Sequence, residues 1–199
     1  MSLTKRHNRI AHKMTKFLRY DGKDFVASDG FAEIDDLIRE ISNPNSNITP
    51  EDIQLIVNSC EKERFTIESS KIRCNQGHSI NMPVPDLETT EITLKNIGEA
   101  GVCAHGTTQD ALTKIQESGK LDRMDRYHIH LAEKMPGEPG LKSGMRNSSE
   151  VAILLDVEKC LNDGIPLRKS TNGVILSTGK DDTGAIPSEY FRSIIFLKT

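Results

Sequence analysis

The chain has 199 residues, 36% of them hydrophobic and 28% charged, with a formal net charge of −3. That is room for one ordinary domain or two small ones, with too much apolar material for a disordered chain. No stretch approaches the roughly 20 apolar residues that span a bilayer, and the opening residues lack the apolar core of a signal peptide. An intracellular protein, cytoplasmic or nuclear and away from membranes, is expected. Cys60, Cys74, Cys103 and Cys160 are far apart and form no Cys-x-x-Cys pair, so neither a zinc ribbon nor a disulfide framework is indicated.

The charge is unevenly distributed. Lys5, Arg6, Arg9, Lys13, Lys16, Arg19 and Lys23 stand against the single acid Asp21 in residues 1–23, and the remainder is net acidic. Between these cations Ile10, Met14, Phe17 and Leu18 recur at helical spacing, which predicts an amphipathic helix ending before Gly22. Its basic face is either a phosphate-attracting patch or a solvated surface. Ile34, Leu37, Ile38 and Ile41 predict a second helix, broken at Asn43-Pro44-Asn45. Thr49, Pro50, Glu51 and Asp52 supply a cap, a first-turn proline and N-terminal acids for a third, which carries Ile53, Ile56 and Val57 inward.

Phe65 to Ile67, a turn at Glu68-Ser69-Ser70 and Lys71 to Arg73 then read as a short hairpin. Helices followed by a two-stranded wing suggest a winged-helix module over residues 1–81. The prolines in Met82-Pro83-Val84-Pro85 mark a linker over 82–90. From 91 to 199 the pattern becomes mainly β, with strands expected at Val102–His105, His128–Leu131, Val151–Leu155, Gly173–Leu176 and Ser193–Phe196. One helix, from about Asp110 to Ser118, interrupts them.

Several polar groups could carry chemistry. His128 and His130 would share one face of a strand, with His105 at the end of another. No carboxylate or further histidine stands at an offset that argues for a metal, and none is expected. Arg73 leads into Cys74-Asn75-Gln76-Gly77-His78-Ser79, either a phosphate-binding loop or a solvated turn. Ser143-Gly144-Met145-Arg146 follows a Pro/Gly-rich stretch and suits a loop closing over a charged ligand.

Taken in order, these segments resemble the tRNA 2′-phosphotransferase family (Tpt1/KptA). The matching pieces are Lys16-Phe17-Leu18-Arg19, Asp29-Gly30-Phe31 with Asp35-Asp36-Leu37, Phe65 to Ile67, and Ile72-Arg73 with Asn75-Gln76-Gly77-His78-Ser79. They continue with His105-Gly106-Thr107, Arg126 with His128-Ile129-His130-Leu131, Ser143-Gly144-Met145-Arg146, and Asn172-Gly173-Val174-Ile175-Leu176. Eight ordered motifs are far more specific than any one of them.

The resemblance implies an α+β protein, with an N-terminal winged-helix lobe that handles RNA and a C-terminal, mainly β lobe of the ADP-ribosyltransferase fold. It implies that NAD⁺ is consumed as a co-substrate. In the family chemistry the RNA 2′-phosphate displaces nicotinamide to give an ADP-ribosylated RNA. The ribose 2″-OH then attacks the phosphorus, releasing dephosphorylated RNA and ADP-ribose 1″,2″-cyclic phosphate. The partner implied is 2′-phosphorylated RNA, spliced tRNA foremost, acted on by a monomer.

The family's catalytic Arg-His-Arg-Arg group maps onto Arg19, Tyr20, Arg73 and Arg146. Tyr20 departs from the family histidine: it can donate a hydrogen bond to phosphate but, with an ordinary pKa near 10, carries no charge at neutral pH. RNA phosphate contacts are implied for Arg19, Arg73, Asn75, Gln76 and His78. NAD⁺ contacts are implied for His105, Gly106, Thr107, Arg126, His128, His130, Ser143 and Asn172. The alternatives are an ADP-ribosyltransferase acting on nucleic-acid ends or protein, and a catalytically impaired RNA-binding homologue.

Overall fold

A computed structural model describes residues 3–44, 46–83, 86–139, 144–146 and 148–197. The chain divides into two compact units, Met1–Leu87 and Glu88–Thr199.

The first unit begins with α1 (Lys5–Lys16), whose capping box pairs Thr4 with His7. A turn of π-helix, Phe17–Asp21, continues it and ends at Gly22. Next come β1 (Phe31–Glu33), α2 (Ile34–Ile41) and α3 (Pro50–Asn58), then the hairpin of β2 (Phe65–Glu68) and β3 (Lys71–Cys74). The three strands form an antiparallel sheet in the order β1-β3-β2. β1 had no counterpart in the sequence pattern, because three residues are too few to show alternation.

Ile10, Met14, Leu18, Leu37, Ile53, Ile56 and Ile72 form one buried core. Met82, the first residue of the segment expected as linker, packs into it with its side chain 3% exposed. Val84 and Pro85 lie outside the described residues.

Polar contacts fix α1 against α3. Asp52 accepts from Arg6 Nη1 at 2.6 Å and Nη2 at 2.8 Å, lies 3.3 Å from His7 Nε2, and accepts from the Thr49 N–H at 3.0 Å. The Arg6 hydrogen bonds outweigh partial burial and hold the Asp52 carboxyl well below the usual range. Arg6, Lys13 and Lys16 are thereby engaged, with Asp52, the Ile41 carbonyl and Asp21 respectively, so much of the basic stripe has protein partners.

The second unit opens with β4 (Thr89–Glu91), again inside the segment expected as linker. It continues with β5 (Ala104–Thr107), α4 (Gln109–Ser118), β6 (Lys120–Asp122), β7 (Ile129–Ala132) and β8 (Val151–Leu155). After these come α5 (Val157–Asn162), β9 (Arg168–Ser170), β10 (Val174–Ser177), β11 (Ala185–Pro187) and β12 (Phe191–Phe196). Seven strands pair antiparallel in the order β12-β8-β5-β7-β10-β9-β4, and β11 pairs with β6 separately.

α4 is capped by Thr108 and ends at Gly119 in the left-handed conformation, φ 67°. α5 is a second helix where one was expected. It runs for six residues and is started by the Asp156 side chain accepting from the Lys159 N–H, too short for an apolar period to show. β8 and β10 sit inside the sheet, and Val174 to Ser177 are all buried.

Among the described residues no helix is long and apolar enough to cross a membrane. Thr49→Ala removes the cap of α3 and one side of its capping box. It is expected to lower stability by about 1 kcal/mol, measured by urea unfolding, with the spectrum of the folded state unchanged.

Candidate active site

In the first unit the sharpest feature is Arg19. The π-turn adds a residue to one helical turn, a distortion common at functional positions, and it separates two neighbours: Arg19 is 9% exposed, whereas Tyr20 is 40% exposed. Gly22 closes the turn by donating its N–H to the Phe17 carbonyl at 2.9 Å, and a Cβ there would fall 2.8 Å from the Phe17 ring. Nothing in the apolar spacing of α1 signals this turn, although Gly22 at its end is consistent with it.

The guanidinium of Arg19 is held against a loop. Its carbonyl accepts the Ser79 N–H at 2.9 Å. Gly77, at φ 93°, lies so close that a Cβ would stand 3.0 Å from Arg19 Cζ. Arg19 Nε and Nη2 are buried without a hydrogen-bond partner, and Arg19 forms no salt bridge among the described residues. A guanidinium removed from water with unsatisfied N–H groups is unfavourable by several kcal/mol. An oxyanion whose oxygens match the guanidinium fork removes that penalty.

Arg73 stacks over the Phe31 ring, its cross-strand partner, with Cζ 4.6 Å from the centroid. Asp29 and Gly30 make the turn that delivers Phe31: Asp29 accepts the Phe31 N–H at 3.0 Å and Gly30 has φ 81°. Asn75, Gln76 and His78 are all buried. The Asn75 carboxamide is engaged within the hairpin, accepting from Thr66 Oγ1 at 2.6 Å and donating to the Glu63 carbonyl at 2.7 Å, so its second Nδ2–H is what remains for a ligand. Arg64, which the sequence reading passes over, precedes β2 and also has its Nε buried without a hydrogen-bond partner.

The second unit gathers its own set. β5 carries His105, Gly106 and Thr107 beside β7 and β8. The His105 Nδ1 lies 3.1 Å from the His130 carbonyl, which can only accept, so Nδ1 carries the proton and Nε2 presents a lone pair. Burial pushes the His105 pKa down, the bond to the His130 carbonyl opposes this, and Arg146 pushes it further down.

Close packing places Arg146. A Cβ on Gly106 would fall 2.1 Å from Met145 Cγ, and one on Gly144, at φ 96°, would fall 2.8 Å from Ala132 Cα. The Arg146 carbonyl accepts the Ser149 N–H, and the Glu150 N–H reaches the Thr107 carbonyl at 2.8 Å. Met145 is buried while Arg146 is exposed.

His128 is held below its ordinary pKa by burial first, then by Arg123 and Arg168. The latter two were not singled out by sequence, because their proximity arises only when the sheet forms. Asn172 is buried and accepts from Ser170 Oγ at 2.8 Å. Arg126 is partly buried in the turn before β7, and Ser143 lies outside the described residues. Among the described residues no group of three or more His, Cys, Asp and Glu is placed to hold a metal ion.

These residues fall in a recognised family of transferases. The family model described as "RNA 2'-phosphotransferase, Tpt1 / KptA family" matches residues 5–179, and the chain belongs to that family of enzymes. It is 38% identical over 179 residues to tRNA 2'-phosphotransferase 1 of Mus musculus, covering 87% of this chain and 69% of that one. It is 34% identical over 199 residues to the protein of that name in Danio rerio, covering 96% and 86%. With tRNA 2'-phosphotransferase of Saccharomyces cerevisiae it shares 29% over 205 residues, covering 98% and 80%.

Gly106→Ala drives a methyl group into Met145 and is expected to lower both activity and melting temperature. Adding Met145→Ala should recover part of each; no recovery would show that the clash lies elsewhere. A second outcome concerns pH. His105 and His128 are kept neutral in the folded protein, so the unfolded chain protonates first, near pH 6.5. Their contribution is complete above that pH and declines as the pH falls toward the lower folded-state values. The urea midpoint should therefore drop below about pH 6.5, and His105→Gln with His128→Gln should flatten that slope.

Proposed function

We propose that this chain is an NAD⁺-dependent RNA 2′-phosphotransferase that removes the splice-junction 2′-phosphate, with spliced tRNA as its RNA. In this reading the first unit is a winged-helix module that handles RNA. The second unit is an ADP-ribosyltransferase-like module that takes NAD⁺, and the enzyme acts as a monomer. RNA 2′-phosphate and NAD⁺ give RNA 2′-OH, nicotinamide and ADP-ribose 1″,2″-cyclic phosphate. The observation that carries the reading is Arg19, buried with two nitrogens unpaired against Gly77, in a chain matched to the family over residues 5–179.

Phosphoryl transfer depends on fixed positive charge where negative charge gathers on oxygen. Arg19 and Arg73 of the first unit are assigned to the 2′-phosphate, with Gln76, His78 and the remaining Asn75 N–H as hydrogen-bond donors, and Arg146 is assigned as a further catalytic cation. Tyr20 offers a neutral phenol where the family pattern has an imidazole. It can donate to a phosphoryl oxygen, without adding charge.

The donor set of the second unit fits a dinucleotide. His105 is neutral with its Nε2 lone pair available, which suits a sugar hydroxyl, and Arg126 offers a cation for the pyrophosphate. Gly106 and Thr107 on β5, His128 and His130 about β7, Ser143 and Asn172 complete the proposed contacts. Bound NAD⁺ supplies a ribose carbon with a good leaving group.

The test is incubation with NAD⁺ and an oligonucleotide carrying an internal 2′-phosphate, followed by mass spectrometry. Dephosphorylated RNA, nicotinamide and the cyclic phosphate are expected, and Arg146→Ala should slow turnover by about 10²-fold or more without altering the fold. Accumulated ADP-ribosylated RNA would favour the ADP-ribosyltransferase alternative, with Tyr20→His then expected to restore the second step. RNA binding without release of nicotinamide would overturn the enzymatic reading of this chain.

A further inference from the structure

Arg64 is left over from the assignments above. Its carbonyl accepts the Asn75 N–H at 2.9 Å, which extends the Phe65↔Cys74 register by one step and sets Arg64 opposite Asn75. The loop that starts at Asn75 reaches Gly77 two residues later, where it lies on the Arg19 guanidinium. Arg64 and Arg19 therefore bracket one short loop. Arg64 Nε and Arg19 Nε and Nη2 are all buried without a hydrogen-bond partner, and neither residue forms a salt bridge among the described residues. Both guanidinium groups act on the Cys74 thiol, which is 0% exposed, with Arg19 within hydrogen-bonding reach of it. Like charges gathered around a neutral thiol repel one another, and the buried nitrogens of Arg19 and the buried Nε of Arg64 lack solvent that would satisfy them, so the arrangement calls for anions.

We propose that Arg64, with Arg19, forms a second anion subsite, which takes the 3′,5′-phosphodiester on the same ribose that carries the 2′-phosphate. The inference rests on the function proposed above. A nucleotide with an internal 2′-phosphate carries two phosphorus groups on vicinal oxygens: a monoester of charge near −2 at neutral pH and a diester with a single charge. Arg73 is assigned to the monoester alone. Arg19 lies between the two anions and Arg64 binds the diester, each with N–H groups that lack a protein acceptor. The subsite selects RNA in which the 2′-phosphate lies within the strand over RNA in which it lies on a 3′-terminal nucleotide, where no such diester exists.

The test compares two oligonucleotides of one sequence, the 2′-phosphate being internal in the first and on the 3′-terminal nucleotide, with a free 3′-OH, in the second. The wild-type protein should prefer the internal substrate. Arg64→Gln should raise KM for that substrate by about 10- to 100-fold, the range for losing a hydrogen bond to a charged group. The effect on the terminal substrate should be much smaller, so the preference collapses toward unity. Arg64→Lys keeps the charge but not the fork and should fall between the two; it also carries the test if Arg64→Gln does not fold. Equal losses on both substrates, or an unchanged preference in both variants, would overturn the subsite while leaving the proposed function standing. Absence of turnover of both substrates by the wild-type protein would overturn the proposed function and the subsite with it.

Discussion

A guanidinium kept out of water with part of its hydrogen-bonding capacity unused is the constraint around which the first unit is arranged. Arg19 is there because the helix carrying it takes one residue too many in its last turn, and because Gly77 permits the loop backbone to lie against the cation. Together they hold it where its unpaired nitrogens are unfavourable without an acceptor. In the proposed reaction such a cation directs binding energy at charge without reorganising the site, which is the usual source of electrostatic preorganisation in phosphoryl transfer.

The second unit solves a different problem. His105, Thr107 and His130 stand on strands of one antiparallel sheet, where side-chain direction is set by register. The His105 ring is oriented by a carbonyl of the neighbouring strand, so its protonation and tautomer follow from the pairing of β5 with β7. Arg146 is placed by apolar contact instead: Met145 fills the space above Gly106, and the next residue is left facing outward. Rigid strands and one glycine-dependent contact thereby position groups that are far apart in sequence.

Much of this was legible in the residues. Thr49-Pro50 marks the start of α3, Gly119 ends α4, and the β2–β3 hairpin falls on the expected apolar runs. The grouping of Arg19, Arg73 and the 75–79 loop within one unit follows the family motifs. What escaped did so for physical reasons. β1, β4, β6, β9 and β11 are three-residue strands held by their partners more than by any pattern of their own. The π-turn leaves no trace in apolar spacing. Met82 reads as linker because Pro83 and Pro85 follow it, although its side chain packs into a core. Arg64 is conspicuous only once the hairpin register places it across from Asn75.

The contrast between positions 19 and 20 carries a consequence for how this chain can vary. At position 19 a replacement must fit an enclosed space shaped by a glycine. Position 20 opens to solvent, so a bulky ring is accommodated there without crowding the core. An aromatic ring that can reach solvent at position 20 beside an enclosed guanidinium at position 19 is what such a split permits.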